Sequence, residues 1–215
     1  MTNLDFISTL KLKLRYDVAK LQADLTAVAL AANDPGLTSS QETTWIPHAN
    51  EMLYTGEWGG IALRNTTSKI ADIAADPVRG HSFVNTRLMD ASPYIAGFLS
   101  DFKCPIGSVR FLRLEAGAVI GEHVDAGLCY EYGEARLHIP VHTNPELEFF
   151  VNQQQIIMNE GECWYINANN PHSVANRGRT DRIHLVIDVG VNDWTQALFE
   201  SALGQSAPPI MKVDF

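Results

Sequence analysis

The sequence predicts a mainly β protein, a sandwich or barrel in its C-terminal half covered by helices from its N-terminal half. Three observations carry this. From about residue 106 the chain falls into short segments rich in Val, Ile, Phe and Tyr, each bounded by Gly, Asn or Pro, the punctuation of successive strands. Before that point, two stretches place apolar residues at three- and four-residue steps, the period of a helix with one buried face. The 215 residues are 46% hydrophobic and 19% charged, an ordinary globular balance that supports a sizeable core.

The elements follow in order. LKLKLR, 10–15, alternates strictly and reads as a short strand with one wet face. Leu14, Val18, Leu21, Leu25 and Val28 then recur at helical spacing, with Asp17 placed to cap the helix and NDPG, 33–36, to end it. This helix is expected to cover the core and to carry no chemistry. Residues 37–60 are turn-rich and yield no clear element. SPYIAGFLSDF, 92–102, reads as a second amphipathic helix with a Ser cap and Pro93 at its first position. The strand-like segments 108–117, 134–144, 147–159, 161–169, 172–178 and 181–190 come next. No repeat, low-complexity tract or linker is visible. The expectation is one domain over 1–215: a mainly helical covering part to 105, a core with the site over 106–190, and a C-terminal helix and tail over 191–215.

A net charge of −9 and a pI near 5.2 argue against a protein that tracks nucleic-acid phosphates, which needs clustered Lys and Arg. Cys104, Cys129 and Cys163 are far apart and form no CxxC pair. They read as reduced packing thiols of a cytoplasmic protein. MTNLDFISTLKLKLRYD lacks the continuous apolar core of a signal peptide, and no apolar run approaches the roughly 20 residues of a membrane span.

Two segments have chemically distinct faces. In RLHIPVH, Arg136, His138 and His142 oppose Leu137, Ile139 and Val141; in RIHLVID, Arg182, His184 and Asp188 oppose Ile183, Leu185 and Ile187. A polar face toward water and a polar face toward a functional lumen both fit this alternation. In GEHVDAG, 121–127, His123 and Asp125 stand two apart, so on an extended segment they point to one side. An imidazole nitrogen and a carboxylate oxygen there can meet one divalent metal, and a second His would complete a facial triad with open positions. HxD alone is weak in a chain with seven histidines. It gains weight from His172, some 45–50 residues on, and from Arg182, ten beyond that. A guanidinium can hold a carboxylate in a fork that lysine cannot form.

VRFLRLEAGAVIGEHVD, RLHIPVHTN, GECWYINANNPHSVANRG and RIHLVID occur in this order over roughly 109–188. Together they resemble the aspartyl/asparaginyl/proline hydroxylase family of Fe(II)/2-oxoglutarate dioxygenases, with SPYIAGFLSDF extending the likeness upstream. The resemblance implies a double-stranded β-helix, a cupin-like jelly roll. It implies that His123, Asp125 and His172 ligate Fe(II), that Arg182 binds the far carboxylate of 2-oxoglutarate, and that His138, with Arg136, assists from the facing strand. It implies a reaction with dioxygen that hydroxylates an aliphatic C–H of an amino acid or peptidyl side chain and releases succinate and CO2. Animal aspartyl/asparaginyl hydroxylases of the family lack the carboxylate ligand; Asp125 sides with the bacterial free-amino-acid hydroxylases of the proline type. The segment AGLCYEYGEA, 126–135, departs from the pattern, leaves the substrate open, and is expected to be a lid through Tyr130, Glu131, Tyr132 and Glu134. Trp164 is expected in the core, His48 and His81 as surface or hydrogen-bonded residues, and His184 on the face of Arg182. Two other readings stay open: a non-catalytic cupin-like module binding metal or a small ligand, and a metal-dependent isomerase or hydrolase on the same fold.

Overall fold

The computed structural model describes residues 7–33 and 45–204. The chain opens with strand β1 (Thr9–Arg15) and helix α1 (Val18–Ala32). Asp17 caps α1, its side chain accepting from the Lys20 N–H at 3.2 Å. Of the turn expected to end α1, residues 34–36 lie outside the described residues, as do residues 37–44 of the turn-rich stretch.

Two short strands, β2 (Ile46–Pro47) and β3 (Tyr54–Thr55), precede the long strand β4 (Trp58–Asn65) and the short β5 (Val84–Asn85). The sequence reading found no element where β4 begins. The reason is local. Nearly every residue of β4 is buried, so it shows no alternation, and its second and third residues are Gly59 and Gly60. A Cβ on Gly59 would lie 2.5 Å from the Ile46 carbonyl oxygen, and one on Gly60 2.9 Å from that of Phe111. Both glycines permit a close backbone approach that any side chain would block.

Helix α2 (Pro93–Leu99) starts with proline at its first turn. The expected Ser92 cap is corrected by the structure. Ser92 Oγ turns back to the Met89 carbonyl at 2.9 Å, and the free Ile95 N–H is taken by Asp24 of α1 at 2.8 Å. The cap therefore comes from a neighbouring helix. Burial raises the Asp24 carboxyl above its usual range, against the lowering pull of the Ile95 and Tyr94 N–H groups.

The remaining strands are β6 (Ile106–Leu114), β7 (Val119–His123), β8 (Glu134–His142), β9 (Leu147–Val151), β10 (Gln154–Gln155), β11 (Glu162–Ile166), β12 (His172–Asn176) and β13 (Arg182–Gly190). Helix α3 (Asp193–Ala202) follows, capped by Asn192 and Thr195. The large sheet runs β1-β11-β8-β13-β6-β4-β2, with β5 on β4; the small sheet runs β10-β9-β12-β7-β3. All pairs are antiparallel. From β6 to β9 successive strands alternate between the sheets, and they do so again from β10 to β13. This is the jelly-roll path of a double-stranded β-helix. The part before residue 106 supplies helices, as expected, and it also supplies strands to both sheets.

The alternation in β8 and β13 decides which face is which. Leu137, Ile139, Val141, Ile183, Leu185 and Ile187 join one core with Leu21, Leu25 and Val28 of α1, Ile95 of α2 and Phe199 of α3. The helices thus cover the outer face of the large sheet. Its inner face meets the small sheet through Trp58, Leu114 and Ile166 against Ile120, Phe149, Val151 and Val174. Arg136, His138, Arg182, His184 and Asp188 are buried on the side that faces this space, whereas His142, at the end of β8, lies half-exposed beside Gln22 of α1.

Candidate metal centre and its cavity

His123 ends β7 and His172 opens β12, and the two are cross-strand partners. Their ring centroids lie 4.1 Å apart. Asp125 stands just past β7, its N–H donating to the Ala168 carbonyl at 2.9 Å, while the Gly127 N–H donates to Asn169 Oδ1 at 2.9 Å. These bonds fix the turn. One ligand atom from each of His123, Asp125 and His172 lies within 4.8 Å of the others.

The protonation states suit a divalent metal. His123 Nδ1 is 2.9 Å from the Gly121 carbonyl oxygen and His172 Nδ1 is 3.0 Å from that of Asn170. A carbonyl only accepts, so each Nδ1 carries a proton and Nε2 is the nitrogen left to meet a metal. Burial, reinforced by the neighbouring His123, pushes His172 down to about 4, so its ring is neutral at pH 7. Burial would raise Asp125, but Arg136, with His172 and His123, outweighs it and holds the carboxyl below its usual range. Two imidazole nitrogens and one carboxylate oxygen form the donor set expected for non-haem Fe(II).

Behind Asp125 lies a buried chain of alternating charge. Arg136 donates to Asp125 through Nη1 and to Asp188 through Nε at 2.8 Å. Arg110 donates to the same Asp188 at 3.0 Å. Arg136 is fully engaged here, and its contacts orient the carboxylate of the metal site. Of the residues expected to serve the diacid, Arg182 and His138 are the ones whose cavity-facing groups are not committed to an acid.

Arg182 is 2% exposed and, among the described residues, has no carboxylate partner. Its Nη2 bonds His184 Nδ1 at 2.8 Å, its guanidinium lies 5.7 Å from the Phe149 ring centroid, and its Nε has no partner. Burial pushes it down to about 9, which leaves it a cation at neutral pH. A buried charge without a counter-ion is costly, and it faces a cavity of about 690 Å³ that also holds His123, Asp125 and His172. The residues fit an anionic ligand beside a metal.

Several cavity residues escaped the sequence reading. His48, expected as a surface or hydrogen-bonded residue, accepts the Asn50 N–H at 3.3 Å, and it also lines the cavity and stacks on Trp58 with ring centroids 3.7 Å apart and planes 13° apart. Burial lowers its pKa. Its strand neighbours gave no periodic signal, so nothing in the sequence could have placed it. Arg110 and the segment 71–75 also line the wall. Arg110 shares its face of β6 with Ser108, Leu112 and Leu114, a mixed face that does not single it out in the sequence. The segment 126–135 contributes Ala126 and Leu128 to the wall, and its remainder is tied down. The Tyr130 N–H donates to Tyr165 Oη at 3.0 Å, and buried Glu134 accepts the Val78 N–H at 2.9 Å. His142 ends β8 half-exposed near Glu160, and His81 is exposed. Trp164 packs on the inter-sheet core and donates to Glu162 at 2.9 Å. The three cysteines are free thiols, Cys129 and Cys163 buried. Among the described residues no helix is long and apolar enough to cross a membrane.

The chain is similar to several known proteins. A family model described as aspartyl/asparaginyl beta-hydroxylase matches residues 23–191. An L-proline cis-4-hydroxylase from Rhizobium meliloti (strain 1021) is 28% identical over 180 residues, which cover 82% of this chain and 58% of that protein. The chain thus spans under two thirds of that relative. An oxidoreductase of the 2OG-Fe(II) oxygenase family from Burkholderia pseudomallei has the same fold, with a TM-score of 0.52 at 16% identity over 87% of this chain and 86% of that one. A prolyl-4-hydroxylase from Pseudomonas putida gives a TM-score of 0.48 at 13% identity, covering 88% of this chain and 96% of that one.

Proposed function

The chain belongs to the aspartyl/asparaginyl beta-hydroxylase family, and on that premise we propose that it hydroxylates an aliphatic C–H bond of an amino acid, free or within a peptide. Fe(II), 2-oxoglutarate and dioxygen would be consumed or held in the process, with succinate and CO2 released. One observation carries this reading: a His, His, carboxylate donor set and a buried arginine with no carboxylate partner among the described residues line one cavity.

Iron with its cosubstrate and dioxygen supplies the oxidising power when bound. The chain supplies everything else. His123 and His172 offer Nε2 because their Nδ1 protons are held by backbone carbonyls. Asp125 offers an oxygen held in direction by Arg136. Three ligands from one side leave positions for cosubstrate and oxygen. Arg182 would take the far carboxylate of 2-oxoglutarate, an ion pair strengthened by the dry surroundings of Phe149, Ile166 and Val174. The rest of the cavity, walled by His48, Trp58, Ile73, Leu112 and Arg110, is where the amino acid would lie. An amino-acid substrate is supported by the proline hydroxylase among its relatives.

Succinate release in the presence of Fe(II) and 2-oxoglutarate, measured across a panel of free amino acids and short peptides, tests this. At least one member should stimulate release several-fold over the blank. Metal binding with no stimulated turnover across the panel would favour a binding module. Turnover without dioxygen or 2-oxoglutarate would favour an isomerase or hydrolase.

A further inference from the structure

Arg110 and Arg136 stand against the carboxylate of Asp188, the usual arrangement for a buried guanidinium. Arg182 stands against an imidazole. Its Nη2 donates to Nδ1 of His184, two residues on along the same face of β13, at 2.8 Å. An arginine only donates, so His184 Nδ1 carries the lone pair and its ring proton sits on Nε2. That Nε2 is buried with no partner among the described residues. His138 Nδ1 lies 3.2 Å from the same His184 nitrogen, so it must donate there, and the one lone pair serves both neighbours. Burial and the adjacent Arg182 keep both rings neutral.

The orphaned Nε2–H is informative. His184 is fully buried, and a residue needed only for packing there would carry no polar atoms. The histidine does what neither an apolar nor an acidic side chain can. Leucine would leave the guanidinium unaimed. Aspartate would hold it but neutralise it, so an incoming carboxylate would meet a spent charge. A neutral acceptor fixes the arm and leaves the charge available.

We propose that His184 is a positioning residue for the cosubstrate: it sets the direction of Arg182 without cancelling its charge. This rests on the reading of Arg182 as the anchor for 2-oxoglutarate.

Calorimetric titration of 2-oxoglutarate into Fe(II)-loaded protein, without dioxygen, tests it on the wild type and on His184→Asn, His184→Leu, His184→Asp and Arg182→Ala. Asn offers an amide oxygen in place of Nδ1 and should keep the Kd within about threefold. Leu should weaken binding about tenfold. Asp, the same size as Asn, should weaken it about a hundredfold. In steady state the Leu variant should raise KM for 2-oxoglutarate and leave KM for the amino acid unchanged, which a general loss of structure would not do. Wild-type affinity in the Asp variant overturns the proposal. If the Asp variant does not fold, the Asn and Leu variants decide, and equal affinities overturn it. Loss of binding in Arg182→Ala with unchanged binding in every His184 variant defeats only the inference about His184. Undiminished binding in Arg182→Ala defeats the reading of Arg182 itself.

Discussion

Each side chain at the candidate centre has its direction fixed by a neighbour. The two histidines are turned by carbonyls two residues before them, Gly121 and Asn170, and Asp125 is turned by Arg136. Such outer partners commonly change metal affinity by about 10–100-fold when removed. Arg136→Lys keeps the charge and loses the fork that spans Asp125 and Asp188. It should weaken Fe(II) binding about tenfold, with His172→Ala and Asp125→Ala weakening it further because each removes a ligand; equilibrium metal titration reads all three. The HxD pair, His172 and Arg182 were legible because they fall at recognisable spacings. Their company was not. His48 reaches the cavity only through the pairing of β2 with β4, and the partnership of Arg136 with Asp125 joins residues of unlike segments that no local pattern connects.

Elements were legible where their two faces differ chemically. Strands β8 and β13 and helix α1 show their periods plainly, since one side meets apolar core and the other does not. Strand β4, buried on both sides and with glycines at its second and third positions, shows none. The cap of α2 was misread because the right residue is distant: Asp24, not Ser92, satisfies the free Ile95 N–H. Asp24→Ala should cost about 1–2 kcal/mol, visible as a lower urea midpoint with an unchanged slope. The edge strand β1 is held to β11 by Glu162, which accepts from Lys11, Arg15, Trp164 and Asn159. Burial would raise that carboxyl, but the bonds from Lys11, Trp164 and Asn159 bring it down to about 2. A folded pKa below the unfolded value gives stability that is present above about 4.3 and lost as pH falls toward 2. Between pH 5 and 2, Glu162→Gln should therefore lose less stability than the wild type, as followed by denaturant unfolding at each pH.

At the scale of the molecule, the large sheet separates two environments. Its outer face carries the apolar residues of β8 and β13 under α1, α2 and α3, and its inner face carries Arg136, His138, Arg182, His184 and Asp188 toward the small sheet. Burying so much charge costs stability, and the inward polar face is intelligible as the lining of a reaction chamber. A sequence could announce that these strands had two faces, but which face looked inward depended on where the helices packed. The segment 71–75, one wall of the cavity, is held by Asn65, whose Nδ2 donates to the Lys69 and Asp72 carbonyls at 2.7 and 2.8 Å. Ile73→Phe should narrow the amino-acid end, raising KM for the amino acid and leaving KM for 2-oxoglutarate within about twofold. Initial-rate kinetics with each substrate varied in turn would show the split.

The central claim is that one metal and one diacid occupy this chamber together. A crystal structure of the protein grown without dioxygen in the presence of Fe(II) and 2-oxoglutarate addresses it most directly. The expected map has an anomalous peak bonded to His123, Asp125 and His172, with the far carboxylate of the diacid against Arg182. A peak elsewhere, a His172 ring turned from it, or a diacid bound away from Arg182 would contradict the account.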